Sequence, residues 1–171
     1  ALHTYAGRTP DAAQLAEEAC RIEIEILGQP IGRQDQYAAA FGGSNQITFL
    51  SDDTVIVTPI EINAEALESN YFLTYTGITR QASDILAKQS ASTDNKRADL
   101  DTLRQQAVAV RNALESGDHA TVGQLLDSSW QIKRNLVDGI TGDTLDEIYA
   151  SVIELGATGG KLLGAGGGGF F

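Results

Sequence analysis

Apolar residues recur at helical spacing through most of the second half of the chain. Leu100, Leu103, Ala107, Val110 and Leu114 mark one face of a predicted helix over 98–115. Val122, Leu125, Ser129, Ile132 and Leu136 do the same over 118–137, and Leu145, Ile148, Val152 and Leu155 over 143–155. Gly117, Gly139 and Gly156 stand just past these stretches, where a left-handed residue closes a helix. A shorter helix is predicted over 80–89, so everything from Arg80 to Leu155 reads as helix. Earlier in the chain the pattern changes. Residues 45–50 and 54–60 are rich in β-branched and aromatic side chains, with Ser51-Asp52-Asp53 between them, which predicts a hairpin. Residues 71–76 predict a third strand ended by Gly77, and residues 1–7 read as the tail of a helix closed by Gly7.

The remaining long helix is predicted over 10–27, with Thr9 as N-cap, Pro10 in the first helical position and Gly28 at its end. Leu15, Ala19, Ile22 and Ile26 form one apolar row, while Gln14, Glu17, Glu18, Arg21 and Glu25 form the wet face. A second row, Ala16, Cys20, Glu23 and Leu27, lies opposite that wet face. Glu23 is the one acid in an otherwise apolar row. An unpaired buried carboxylate is costly, so Glu23 calls for a cation, a metal or a hydrogen-bond donor. A structural ion pair, or a helix turned to wet Glu23, would also satisfy it. After a turn at Gly28-Gln29-Pro30, a short helix is predicted from Gln34 to Ala40. Asp35 stands at its start, where free backbone N–H groups favour negative charge. It can serve as a helix cap, or as a fixed carboxylate that accepts a hydrogen bond from a substrate hydroxyl.

The chain has 171 residues, 42% of them hydrophobic, which allows one or two small domains with a real core. Its net charge of −11 argues against non-specific nucleic-acid binding and against an anionic membrane surface. No apolar run reaches membrane-spanning length. The single Cys20 cannot form an internal disulfide, which suits a reducing cytoplasm. His3 and His119 stand apart from each other and from Cys20, and both are expected at the surface.

Gly156 to Phe171 holds eight of the 18 glycines, flanked by Lys161-Leu162-Leu163 and Phe170-Phe171. Glycines inside a strand-like run signal a close backbone approach. That approach can be a phosphate cradle built from bare N–H groups or tight packing against another loop. The stretch is neither a Walker A motif nor a dinucleotide fingerprint. Arg33, Arg80, Lys133, Arg134 and Lys161 stand out on this acidic chain. Arg80, at a strand-to-helix turn, is the best placed to clamp a phosphate with its guanidinium.

Glu23 followed by Gly28-Gln29-Pro30-Ile31-Gly32-Arg33-Gln34-Asp35-Gln36 resembles the GHMP family of small-molecule kinases, which includes galactokinase, homoserine kinase and mevalonate kinase. The resemblance runs from Leu15 to Phe171 and takes in YTGITRQAS (75–83), WQIKRNL (130–136) and GGKLLGAGGGGFF (159–171). Within the family, IGRQDQYAAAFGG reads most like the bacterial kinases of heptose 7-phosphate. The resemblance implies ATP-dependent phosphoryl transfer to a sugar hydroxyl, most closely the anomeric hydroxyl of a heptose 7-phosphate. It implies Asp35 as the catalytic base and Glu23 as a ligand of Mg²⁺. It also implies Gln34, Gln36, Tyr37 and Arg80 as substrate-binding residues, with Gly164, Ala165, Gly166, Gly167 and Gly168 as the loop at the ATP phosphates.

The expected fold is α+β: the latter part of the family's N-terminal domain over 1–60, then its C-terminal domain over 61–171, a small antiparallel sheet packed with helices. The family's first motif and nucleotide loop have no counterpart here, and the chain lacks Met, so it reads as a fragment that would not turn over ATP alone. A strand starting at 169–171 should pair along 71–76 and leave apolar surface that favours self-association. The expected partners are ATP and a sugar phosphate, with neither nucleic acid nor membrane. Two further readings stay open: galactokinase- or fucokinase-like specificity, and a non-catalytic sugar-phosphate-binding module.

Overall fold

The computed structural model describes residues 2–79, 85–89 and 96–171. They form two compact units, Ala1–Glu61 and Ile62–Phe171.

In the first unit, α1 (Leu2–Tyr5) ends at Gly7, whose φ of 68° needs no Cβ. Helix α2 (Ala12–Cys20) starts two residues later than the sequence predicts. Asp11, not Thr9, is its N-cap, because the Asp11 carboxylate accepts a hydrogen bond from the Gln14 N–H at 2.8 Å. The predicted single helix then changes character. Arg21–Ile26 is a π-helical turn, in which the Leu27 N–H reaches back five residues to the Ile22 carbonyl at 2.9 Å. Three β-branched isoleucines at alternate positions, Ile22, Ile24 and Ile26, weaken the α-helical preference of this stretch. Gly28 closes it at φ 65°, as expected.

Helix α3 (Gln34–Phe41) packs on α2, and strands β1 (Asn45–Phe49) and β2 (Val55–Pro59) pair antiparallel with Asn45 opposite Pro59 and Phe49 opposite Val55. Asp52 fastens the hairpin turn by accepting from the Thr54 N–H at 3.0 Å. The core is Ala16, Cys20 and Tyr37, with Ile24, Ala40, Ile47, Val55 and Val57 against them. Burial pushes the Cys20 thiol above its ordinary range. The two apolar rows of the predicted helix therefore part company. The row carrying Ala16 and Cys20 faces the core, while Leu15, Ile22 and Ile26 are exposed, Ile26 to 66%.

In the second unit, α4 (Ala64–Asn70) is a helix the sequence reading did not include; Asn63 caps it by accepting from the Ala66 N–H at 3.2 Å. The predicted third strand is an extended segment that pairs antiparallel with the end of the chain. Thr74 and Phe171 exchange backbone hydrogen bonds at 2.8 and 2.9 Å, and Tyr75 bridges Phe170. Residues 85–89 are helical. Helix α5 (Arg97–Ser116) ends at the left-handed Gly117, α6 (His119–Lys133) starts at its cap Asp118, and α7 (Asp143–Glu154) follows. Helix α6 stops four residues short of its predicted end, and Leu155 falls outside α7 at 88% exposed. Trp130, Ile140 and Leu162 are fully buried in a core completed by Ile85, Leu136, Leu145, Tyr149 and Phe171.

Several polar side chains inside this unit are paired, although the indole N–H of the buried Trp130 has no acceptor among the described residues. The Tyr149 hydroxyl donates to Asp127 at 2.6 Å, and burial together with that carboxylate pushes the phenol well up. Neither histidine is a bare surface residue: the His3 ring meets Glu18 at 2.5 Å, and the His119 ring meets the Tyr71 hydroxyl at 3.0 Å. Among the described residues no helix is long and apolar enough to cross a membrane.

Candidate active site

The π turn places Glu23 opposite the first turn of α3. An open cleft of about 390 Å³ lies there, with Glu23, Asp35 and Gln36 as its polar lining and Leu15, Ala19, Ala39 and Ala40 as its apolar lining. The structure thus brings together the two acids singled out from sequence. Glu23 is half-buried and accepts a hydrogen bond from Nε2 of Gln36. That amide donor fills the need for a partner, so no structural ion pair is required.

Asp35 is the second residue of α3 and is exposed. It is not the cap, since Arg33 occupies that position and no side chain caps this helix. Among the described residues Asp35 has no hydrogen-bond or ion-pair partner. Its backbone is fixed by the helix, and its carboxylate remains open to an incoming donor.

The other residues of this segment divide sharply. Gln34 is exposed and does not line the cleft. Gln36 does line it, at 8% exposure, and its Oε1 is buried without a donor. An unsatisfied buried carbonyl costs roughly 1–3 kcal/mol. Tyr37, expected from sequence to bind substrate, is buried. At 4% exposure its ring packs between Phe41 and Phe49 and anchors α3 in the core. Arg33 is committed to the hairpin, 3.4 Å from both the carbonyl and a carboxylate oxygen of Asp53 and over the Phe49 ring.

Among the described residues no group of three or more His, Cys, Asp or Glu side chains could hold a metal unaided. Two carboxylates on one cleft fit instead an ion that keeps phosphate oxygens and water as most of its ligands, as Mg²⁺ does.

In the second unit the glycines differ from one another in their surroundings. The Gly167 N–H donates to the Ile140 carbonyl at 2.6 Å, and the Gly169 N–H to the Ile78 carbonyl at 3.0 Å. A Cβ on Gly166 would sit 2.7 Å from Cγ2 of Ile140, and one on Gly168 would sit 2.6 Å from the Ile78 carbonyl oxygen. Gly159 lies so close to the Gly123 carbonyl that any Cβ would overlap it. Tight packing therefore explains Gly159, Gly166 and Gly168, and the Gly167 N–H is already used. Gly164, by contrast, has open space around it at φ 67°. The N–H groups of Gly164, Ala165, Gly166 and Gly168 have no acceptor among the described residues.

The ammonium of Lys133 donates to the carbonyls of Leu162, at 3.2 Å, and Gly164. Lys133→Met should remove that clamp and cost about 1–2 kcal/mol, read as a lower denaturation midpoint in urea; an unchanged midpoint would show that the loop holds its shape without it. Arg134 pairs with Asp146, which also accepts from the Thr141 hydroxyl at 2.5 Å. Lys161 is half-buried with no partner among the described residues, and burial pulls its ammonium below the ordinary lysine range. Arg80 lies outside the described residues.

Residues 110–171 match the family of GHMP kinases C terminal. Over 162 residues the chain is 40% identical to a D-glycero-α-D-manno-heptose 7-phosphate kinase of Campylobacter jejuni, an alignment that covers 92% of this chain and 48% of that one. Residues 110–171 are thus a GHMP kinase C-terminal domain. A galactokinase of Pyrococcus furiosus is 28% identical over 93% of this chain and 52% of its own length. The crystal structure of a D-glycero-D-manno-heptose 1-phosphate kinase of Bacteroides thetaiotaomicron superposes on 99% of this chain and 46% of its own, with a TM-score of 0.71 and 25% identity. The α+β architecture is one that this solved kinase shares. The chain spans about half the length of the curated relatives it matches.

Proposed function

We propose that the full-length protein is an ATP-dependent sugar kinase that phosphorylates the anomeric hydroxyl of a heptose 7-phosphate. The observation that carries this reading is the shared cleft, in which an unpartnered Asp35 stands on the same wall system as Glu23. The similarity to a heptose phosphate kinase supports the choice of substrate.

In this reading Asp35 accepts the hydrogen bond of the sugar hydroxyl and takes its proton as the sugar oxygen bonds to the γ-phosphorus of ATP and the bond from that phosphorus to the departing ADP oxygen breaks. Phosphoryl transfer passes through a loose transition state, so proton loss is late and a carboxylate suffices as base. Glu23 would hold Mg²⁺, which would neutralise charge on the triphosphate. The N–H groups of Gly164 and its neighbours supply donors for phosphate oxygens.

The test is ATP consumption by the full-length protein over a panel of heptose 7-phosphate, galactose and fucose. Preference for the heptose phosphate by at least tenfold in kcat/KM is expected. Preference for galactose or fucose would assign a different sugar to the same cleft, and no turnover with any of them would favour a binding module. Glu23→Gln should raise the Mg²⁺ needed for half-maximal rate at least tenfold; a wild-type Mg²⁺ dependence would reject its role as a ligand.

A further inference from the structure

We propose that Gln36 is a positioning residue that holds the Glu23 carboxylate for a phosphate-bound divalent cation. The inference rests on the reading of Glu23 as a cation ligand, and adds the residue that keeps it in place. Glu23 has a long, flexible side chain on a π turn, where the regular packing of α-helical side chains is interrupted. One of its oxygens, Oε2, accepts from Nε2 of Gln36. A carboxylate can only accept, so this bond fixes which end of the Gln36 amide faces Glu23. The other Glu23 oxygen has no hydrogen bond among the described residues and remains for a cation.

The orientation of Gln36 comes at a structural disadvantage. Its Oε1 is buried with no donor, in a side chain only 8% exposed. For folding alone, an apolar side chain of similar length would serve this position better, because it leaves no orphaned acceptor. The amide is explained by what its other end does. Gln36 also follows Asp35 directly on α3, so a single short helix fixes the proposed base and, through Gln36, the proposed cation ligand.

The experiment is a double-mutant cycle in the full-length protein with Glu23→Gln, Gln36→Met and the pair. Affinity for Mn²⁺ in the presence of a non-hydrolysable ATP analogue is followed by electron paramagnetic resonance, and folding by thermal melting. Gln36→Met should melt no lower than wild type and bind Mn²⁺ roughly 10–100-fold more weakly, the usual effect of losing the group that orients a metal ligand. In the Glu23→Gln background, Gln36→Met should have no further effect on Mn²⁺ affinity. Unchanged Mn²⁺ affinity in Gln36→Met beside a clear loss in Glu23→Gln overturns the proposal and spares the reading of Glu23. Additive losses overturn it as well. Wild-type affinity in Glu23→Gln instead overturns the reading of Glu23 itself. Failure of both Gln36→Met and Gln36→Leu to fold would make Gln36 a structural residue and overturn the proposal.

Discussion

Asp35→Asn in the full-length protein is expected to lower kcat by roughly two to four orders of magnitude, with a much smaller change in KM for the sugar phosphate. Asn keeps the shape of the side chain and removes both its charge and its ability to take a proton. The fold has little to lose, because Asp35 is exposed and has no partner among the described residues. Its position in α3 is secured instead by Tyr37, packed between Phe41 and Phe49 two residues later. A fall in kcat with unchanged melting would therefore report chemistry and not folding. Steady-state kinetics with saturating ATP check the point. An unchanged kcat would reduce Asp35 to a solvated residue of the first helical turn.

Gly159→Ala should destabilise the second unit by about 3 kcal/mol, at the upper end for a forced overpacking. The added carbon would overlap the Gly123 carbonyl and lie 3.0 Å from Cβ of Asp127, so it presses on the backbone of α6 itself. Backbone in the middle of a helix cannot rotate away as a side chain end can. Gly123 is constrained from its own side too, since a Cβ there would run into Thr158. Asp127 also accepts the Tyr149 hydroxyl, so a displaced α6 would disturb a buried hydrogen bond. Urea denaturation of wild type and variant measures the loss. Gly164→Ala is the control, with open space at its Cβ and only the left-handed strain of about 1 kcal/mol to bear. Equal losses at the two positions would refute the close approach.

Local chemistry made much of the fold legible. Asp52 and the β-branched residues around it specify the β1–β2 hairpin, and Gly7, Gly28 and Gly117 mark helix ends through their left-handed backbone. The pairing of residues 71–76 with the end of the chain could be expected because Phe170-Phe171 continues an apolar run that needs a partner strand. The π turn could not, since an apolar pattern read at 3.6 residues per turn assumes an unbroken α-helix through Arg21–Ile26. Helix α4 was missed although Asn63 signals its start, because seven residues are too few to show a periodic face. Nor could periodicity choose between the row of Leu15, Ile22 and Ile26 and the row of Ala16 and Cys20. Both are apolar, and the smaller side chains win the interior because α3 packs closely over them.

In the candidate site, the two acids were legible because a carboxylate in an apolar row and one at a helix start each need an explanation. The donor that satisfies Glu23 was not, because Gln36 lies thirteen residues away on another helix and nothing in the chain's spacing ties the two. The glycine stretch was legible only as a group. Composition cannot separate Gly164, with room around it, from Gly166 and Gly168, which abut Ile140 and Ile78.

Three consecutive residues of α3 have three destinations: Asp35 faces the cleft and solvent, Gln36 holds Glu23, and Tyr37 enters the core. Each residue of an α-helix is turned about 100° from the last, so the helix is indexed like a key with three cuts. Inserting or deleting one residue between Asp35 and Tyr37 would leave a choice between keeping Tyr37 buried and keeping the acid on the cleft. Point substitutions can vary the three cuts one at a time, but a change of length inside the helix puts them out of phase with one another. Drift in length within the first turn of α3 is therefore closed to this site, whereas a change ahead of the helix leaves the three residues in phase with one another.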